Sequence, residues 1–146
     1  CVITGFFAAT NRVVTMLAIP MPMSELCDRL TIAILKARRL SDAQADKVAL
    51  SRQIAYYRKG IDETDTHLLT LIEDLERENG RIWDAEHDIR KGLDTNASLA
   101  EIGRRALVIR DINMQRVAIK NKIAEHTDQA EFVDVKMNYA RDAASA

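Results

Sequence analysis

The last proline of the chain is Pro22, and from Met23 to Ala146 the sequence holds no other proline and only four glycines, at positions 60, 80, 92 and 103. Proline removes a backbone donor and collides with the preceding turn, so a long stretch without it lets helices run until a glycine or a capping residue stops them. The expected fold class is all-α, with few and long helices. Apolar residues make up 47% and charged residues 29% of the 146 positions, enough for one packed domain and too short a chain for two comfortable ones.

Capping residues and apolar spacing divide this stretch into four helices. Ser24 is expected to cap the first, which carries Leu26, Leu30, Ala33, Ile34 and Ala37 at helical period and ends near Leu40. Ser41 and Gln44 have capping-box spacing and are expected to open a second helix at once, with Lys47, Leu50, Ile54 and Tyr57 on one face and Gly60 as its stop. Asp62 is expected to cap a third helix reaching about Gly92, roughly 45 Å long at 1.5 Å per residue. Ser98 and Glu101 form another capping box, opening a fourth helix that runs to about His126. The prediction is an antiparallel bundle of four helices over residues 16–140, dominated by a long hairpin of the third and fourth. Phe132, Val135 and Tyr139 are expected to pack back on it, and residues 141–146 read as a frayed tail.

Residues 1–15 read as an appended or poorly ordered segment, with a natural start expected at Met16, Met21 or Met23. Their apolar run is broken by Asn11 and Arg12, short of the roughly 20 apolar residues of a membrane span, and no basic leader precedes it. Two cysteines, Cys1 and Cys27, are too few for a disulfide scaffold and lack metal-ligand spacing, so a reducing cytoplasm is the expected compartment.

The formal net charge of -1 excludes a uniformly basic nucleic-acid surface. That sum hides unlike segments. Residues 24–60 carry eight basic and four acidic side chains, residues 61–88 two basic and ten acidic, and residues 89–126 eight basic and four acidic. An acidic third helix between two basic stretches suits antiparallel neighbours, through pairs individually worth under about 1 kcal/mol.

Polar residues interrupt both long seams. Leu68, Ile72, Leu75, Asn79, Ile82, Glu86, Ile89 and Leu93 alternate spacings of four and three, and Ile102, Ala106, Ile109, Asn113, Arg116, Lys120 and Ile123 do the same. A hairpin centred near residue 95 or 96 sets Asn79 opposite Asn113, Ile82 opposite Ile109 and Glu86 near Arg105, with Trp83 beside them. One reading is a buried amide pair that fixes register, with Arg116 and Lys120 snorkelling outward. The other is a ligand pocket of Asn79, Trp83, Glu86, Asn113, Arg116 and Lys120 that holds an anionic small molecule.

The stretch from Ile82 to Arg90, IWDAEHDIR, resembles the "LWDIEDDIR" pattern of a family of short all-helical bacterial proteins of unknown function. Asn113, Arg116, Lys120, Ile123 and Glu125 are similar to that family's "ND.R..LK..INE". Ile19-Pro20-Met21-Pro22 and the run from Glu25 to Ile32 resemble its opening, "VPVS.GELLDKITI". The likeness covers about Leu17 to Tyr139 and implies a helical fold, an extra segment before it, and no assigned activity.

Two enzyme families touch the same segment. Arg58, Ile61, Asp62, Asp65 and Leu68 resemble the first helix of the all-helical chorismate mutases, but Leu75 and Glu86 stand where that family places cations. Glu73 and Glu76, with Asp84 and Asp88 further along, resemble the ExxE carboxylates with which all-helical nucleotide pyrophosphohydrolases hold Mg²⁺. His67, His87 and His126 are dispersed in sequence, and no phosphate-binding glycine loop or nucleophile motif is present. The leading expectation is a non-enzymatic interaction or assembly module, either self-associating or binding another protein, without cofactor, nucleic acid or membrane. The alternative is an Mg²⁺-dependent nucleotide or phosphometabolite hydrolase.

Overall fold

A computed structural model describes residues 20–94 and 96–134. The segments 1–15 and 141–146, and the positions Val135 and Tyr139, lie outside the described residues. Four α-helices follow in order: α1 Met23–Arg39, α2 Lys47–Arg58, α3 Thr66–Asp94 and α4 Leu99–His126, with a single 3₁₀ turn at Ala130–Phe132. The all-α bundle expected from the proline-free sequence is present. α3 and α4 form its antiparallel hairpin, α1 packs along both, and α2 folds back against α1 alone.

Each helix starts where a side chain or the chain itself supplies the missing acceptors. α4 opens as expected, with Glu101 N–H donating to Ser98 Oγ at 3.2 Å. The other three starts differ from the sequence reading. α1 begins after Pro22, and Ser24 sits buried within its first turn instead of capping it. The Met23 N–H donates to Gln129 Oε1 at 2.7 Å, so the segment after α4 closes the N-terminus of α1. Only half of the Ser41–Gln44 box forms, as an isolated turn: the Ser41 N–H donates to Gln44 Oε1 at 3.0 Å, while the Gln44 N–H bonds to the Ser41 carbonyl at 2.9 Å rather than to its hydroxyl. The chain needs residues 40–46 to reverse direction before Asp46 caps α2 through the Ala49 N–H at 3.0 Å. Lys47 then donates to the carbonyls of Ala37 and Leu40, closing the end of α1. Asp62 likewise holds a local turn with Thr64, and Asp65 is the residue that accepts the Leu68 N–H, at 2.9 Å.

Both ends of the hairpin are closed by a residue in the left-handed region. Asn96 has φ 55°, with the Ala97 N–H reaching back to Gly92 O at 2.9 Å. Asp128 has φ 55°, with the Gln129 N–H bonded to Ala124 O at 2.8 Å. Both are Schellman-type ends built without glycine.

The core lies at the end where α1 and α3 begin and α4 finishes. Cys27, Leu68, Leu71, Ile72, Leu75 and Ile123 form it, with Met23, Ile61 and Ile119 packed alongside. Toward the other end the bundle thins. α1 stops at Arg39, which is ion-paired with Asp84, and the ten residues of α3 beyond Asp84 extend about 15 Å further. The α3 seam is accordingly buried from Leu68 to Asn79, half-buried at Ile82 and exposed at Glu86. The 3₁₀ turn packs on α4, but Phe132 within it stays 51% exposed and is not part of the core.

Candidate functional site

The polar residues of the seams converge on α1. Asp28 is buried, and Arg116 grips its carboxylate with two donors, Nε to Oδ1 at 3.0 Å and Nη2 to Oδ2. Asn79 Nδ2 donates to the same Oδ1 at 2.9 Å and to Thr31 Oγ1 at 2.9 Å. Thr31 in turn donates to Asp28 O at 2.9 Å, and Arg116 Nη1 donates to Asn113 Oδ1 at 3.2 Å. One carboxylate on α1 thereby ties α3 to α4. Lys120, one turn further along α4, pairs with Glu25 and lies 3.7 Å from Asp134.

This arrangement corrects three expected neighbours. Asn79 bonds to α1 rather than to Asn113. Arg116 and Lys120 are drawn inward by Asp28 and Glu25 instead of snorkelling, and Lys120 is only 7% exposed. Arg105 is engaged by Glu101 Oε1 at 2.9 Å and by the Asp88 carbonyl at 2.6 Å rather than by Glu86. Sequence reasoning missed Glu25, Asp28 and Thr31. A signal was present, since Ser24, Asp28, Thr31 and Leu35 recur at spacings of four, three and four around Cys27. It marks a second buried face of α1 beside the apolar stripe that faces α2.

Immediately beyond this cluster, toward the thin end, α1, α3 and α4 diverge around a cleft of about 500 Å³. Ile32, Leu35, Ile82 and Ile109 form its apolar walls, and Asn79, Trp83, Glu86, Asn113 and Arg116 supply polar edges. Five of the six residues expected to hold a ligand thus share one cleft, with Lys120 outside it. The two cations of that set are both neutralised, Arg116 by Asp28 and Lys120 by Glu25. Trp83 Nε1, Asn113 Nδ2, Asn79 Oδ1 and the Glu86 carboxylate make no hydrogen bond with any described residue.

The acidic residues of α3 are arranged differently. Glu76 pairs with Arg38 and Asp84 with Arg39, along a groove of about 720 Å³ between α1 and α3 that Glu73 also lines. Gly80 faces that groove closely enough that an added Cβ would lie 3.2 Å from Arg39 Nη2, so glycine gives Arg39 its path to Asp84. Asp88 is exposed on the next turn. Among the described residues no three His, Cys, Asp or Glu side chains come together as a metal-binding set.

Two other groups were dispersed in sequence and meet in space. His126 Nε2 lies 2.7 Å from Asp65 Oδ2, and its ring stacks edge-on against His67 with centroids 4.7 Å apart. The Asp65 carboxyl is held below the ordinary aspartate range, chiefly by the Leu68 N–H and next by His126. Cys27 is fully buried, and desolvation, reinforced by Asp28, pushes its thiol up to about 12, which leaves it protonated and inert.

No family model, curated protein or solved structure matches the chain. Among the described residues no helix is long and apolar enough to cross a membrane.

Proposed function

We propose that this chain is a non-enzymatic assembly module that pairs with a second copy of itself through the outer face of α4. The observation that carries this reading is the set of apolar side chains on that face: Leu107 is 50%, Val108 52% and Met114 40% exposed, on the side turned away from α1 and α3. A monomer gains nothing by leaving such residues in water, and clustered ones mark contact sites. The charges on the same face supply the second argument. Arg104 and Asp111 are both exposed, each in a surface pair on its own helix with Glu101 and Arg110, and lie at equal distances on either side of the Leu107–Val108 centre. Two copies crossing antiparallel about a two-fold axis at that centre set Leu107 of each against Val108 of the other and Arg104 against Asp111.

A reducing cytoplasmic setting belongs to the same reading, with Cys27 a free and buried thiol. The likeness to helical proteins of unknown function brings no activity with it. A hydrolase requires carboxylates available to Mg²⁺, whereas Glu76 and Asp84 are engaged by Arg38 and Arg39. Sedimentation equilibrium tests the proposal. The chain is expected to form dimers; Arg104→Asp or Asp111→Arg alone weakens them, and the two together restore them. A monomer at all concentrations, or a double variant no better than either single one, refutes self-pairing. Saturable Mg²⁺-dependent binding of a nucleoside triphosphate in calorimetric titration overturns the non-enzymatic reading.

A further inference from the structure

We infer that the cleft between α1, α3 and α4 binds an amphipathic organic cation, an amine or quaternary ammonium carried on an apolar group. The cleft uses the inner face of α4 and self-pairing the outer one, and the two meet at Asp111, which holds Arg110 beside the cleft.

Charged side chains face the cleft from α3 and α4. α4 contributes Arg116, whose guanidinium is bound by Asp28, and Arg110, whose Nε and Nη2 are held by Asp111 at 3.0 and 2.9 Å. α1 presents only Ile32 and Leu35 to it. α3 contributes Glu86, one turn beyond Ile82, and no cation among the described residues lies within ion-pair distance of that carboxylate. Arg90, the next turn on, lines a separate groove with His87 on the other side of Trp83. Glu86, at the rim, is therefore the one charged side chain lining the cleft that has no ion-pair partner among the described residues.

An anion entering this space meets Glu86 and finds both guanidinium groups already engaged. A cation finds a carboxylate and the indole of Trp83 within one turn of α3, the pairing of acid and aromatic face that attracts alkylammonium groups. Behind that rim, Ile32, Leu35, Ile82 and Ile109 offer a wall for an aryl or branched alkyl body, and about 500 Å³ accommodates one of modest size. At the floor Asn79 has an unused acceptor, Oδ1, because its amide donors are taken by Asp28 and Thr31. The cleft is thus acidic at its mouth, aromatic on one side and apolar within.

Trp83 is the chain's only tryptophan and sits in the cleft, so its fluorescence reports occupancy directly. Titration of the full chain with 2-phenylethylamine, 3-phenylpropionate and 3-phenylpropan-1-ol compares one aromatic body carrying opposite charges and none. Fragments of this size bind in the millimolar range, so titration runs to about 10 mM. The amine is expected to saturate the signal and to bind at least about tenfold more tightly than the propionate. Glu86→Gln, an exposed isosteric change, is expected to weaken the amine about tenfold and leave the alcohol unchanged. Side-chain amide shifts of Asn79 and Asn113 in heteronuclear NMR locate the binding independently of Trp83. The inference is overturned if the propionate binds as well as the amine, if Glu86→Gln leaves amine binding unchanged, if the amine gives no saturation, or if the shifted amides lie elsewhere.

Discussion

Removing the Asp28 carboxylate is the sharpest test of how this bundle holds together. The side chain is 6% exposed and receives Arg116 Nε, Arg116 Nη2 and Asn79 Nδ2, so Asp28→Ala strips three donors of one acceptor group at once. Breaking a buried ion pair from one side costs about 3–5 kcal/mol, because the remaining charge is left without a partner. Arg116 keeps 22% of its side chain in contact with solvent, which places the cost near the lower end, about 3 kcal/mol. Arg116→Met is expected to cost a similar amount, since Asp28 then retains only Asn79. In the double variant neither charge is stranded, and Asn79 still donates to Thr31. Its cost is expected near 3 kcal/mol rather than near 6, a coupling of about 2–3 kcal/mol. Urea unfolding followed by far-UV circular dichroism measures all four species, with an unchanged slope confirming that stability alone has shifted. Single variants that each cost under about 1 kcal/mol, or that add to within about 0.5 kcal/mol, would refute the claim that this carboxylate ties α3 to α4.

Three further outcomes follow from the same geometry. Asn79→Leu removes one bond to a carboxylate and one to a hydroxyl, and is expected to lower stability by about 2–4 kcal/mol in urea unfolding; a stability at or above that of the parent chain would mean that the amide serves something other than the fold. In a Cys1→Ser background Cys27 is expected to resist thiol reagents in the native state and to react fully once unfolded, its thiol being pushed up to about 12 by burial; rapid native labelling would contradict that. Asp65 is held below the ordinary aspartate range by the Leu68 N–H and His126, so its charge stabilises the fold above about pH 4 and that contribution is lost as pH falls through the lowered value. Asp65→Asn keeps the cap and removes the charge, so its stability deficit should shrink below pH 4 in thermal melts, and a deficit independent of pH argues against the charge.

The hairpin of α3 and α4 was legible because every local signal agreed with its tertiary role. Ser98 caps, Ile123 and Leu75 point inward, and the seams share one period. The starts of α2 and α3 were misplaced for a common reason. Ser41 with Gln44, and Asp62 with Thr64, satisfy their local hydrogen bonds in a single turn, and nothing in that turn states whether a helix follows. The decision belongs to tertiary structure, since α2 must return along α1 and Asp46 is where the reversed chain meets it. α1 was half legible. Its apolar stripe announced the helix, but its other buried face carries Ser24, Asp28 and Thr31, which hydropathy assigns to solvent. Arg116, 88 residues away, and Asn79, 51 residues away, make Asp28 an interior residue.

The segmental charge pattern acquires a different meaning from this. An acidic α3 beside a basic α4 suggested direct pairing across the hairpin, yet Arg104 and Arg105 turn to Glu101 on their own helix and Arg110 to its neighbour Asp111. Apart from His126 with Asp65 at the cap of α3, the pairs that join helices run through α1: Arg38 to Glu76 and Arg39 to Asp84 at its end, Asp28 to Arg116 and Glu25 to Lys120 at its beginning. α1 therefore presents carboxylates to the basic helix and guanidinium groups to the acidic one, and reversing its direction would set like charges together. The buried pair at Asp28 enforces that direction far more strongly than the exposed pairs at Arg38 and Arg39, because water screens the latter. Glu86 lies beyond the reach of this system, past the last residue of α1. Two residues past the Arg39–Asp84 pair, its carboxylate has no ion-pair partner among the described residues and faces solvent at the rim of the cleft.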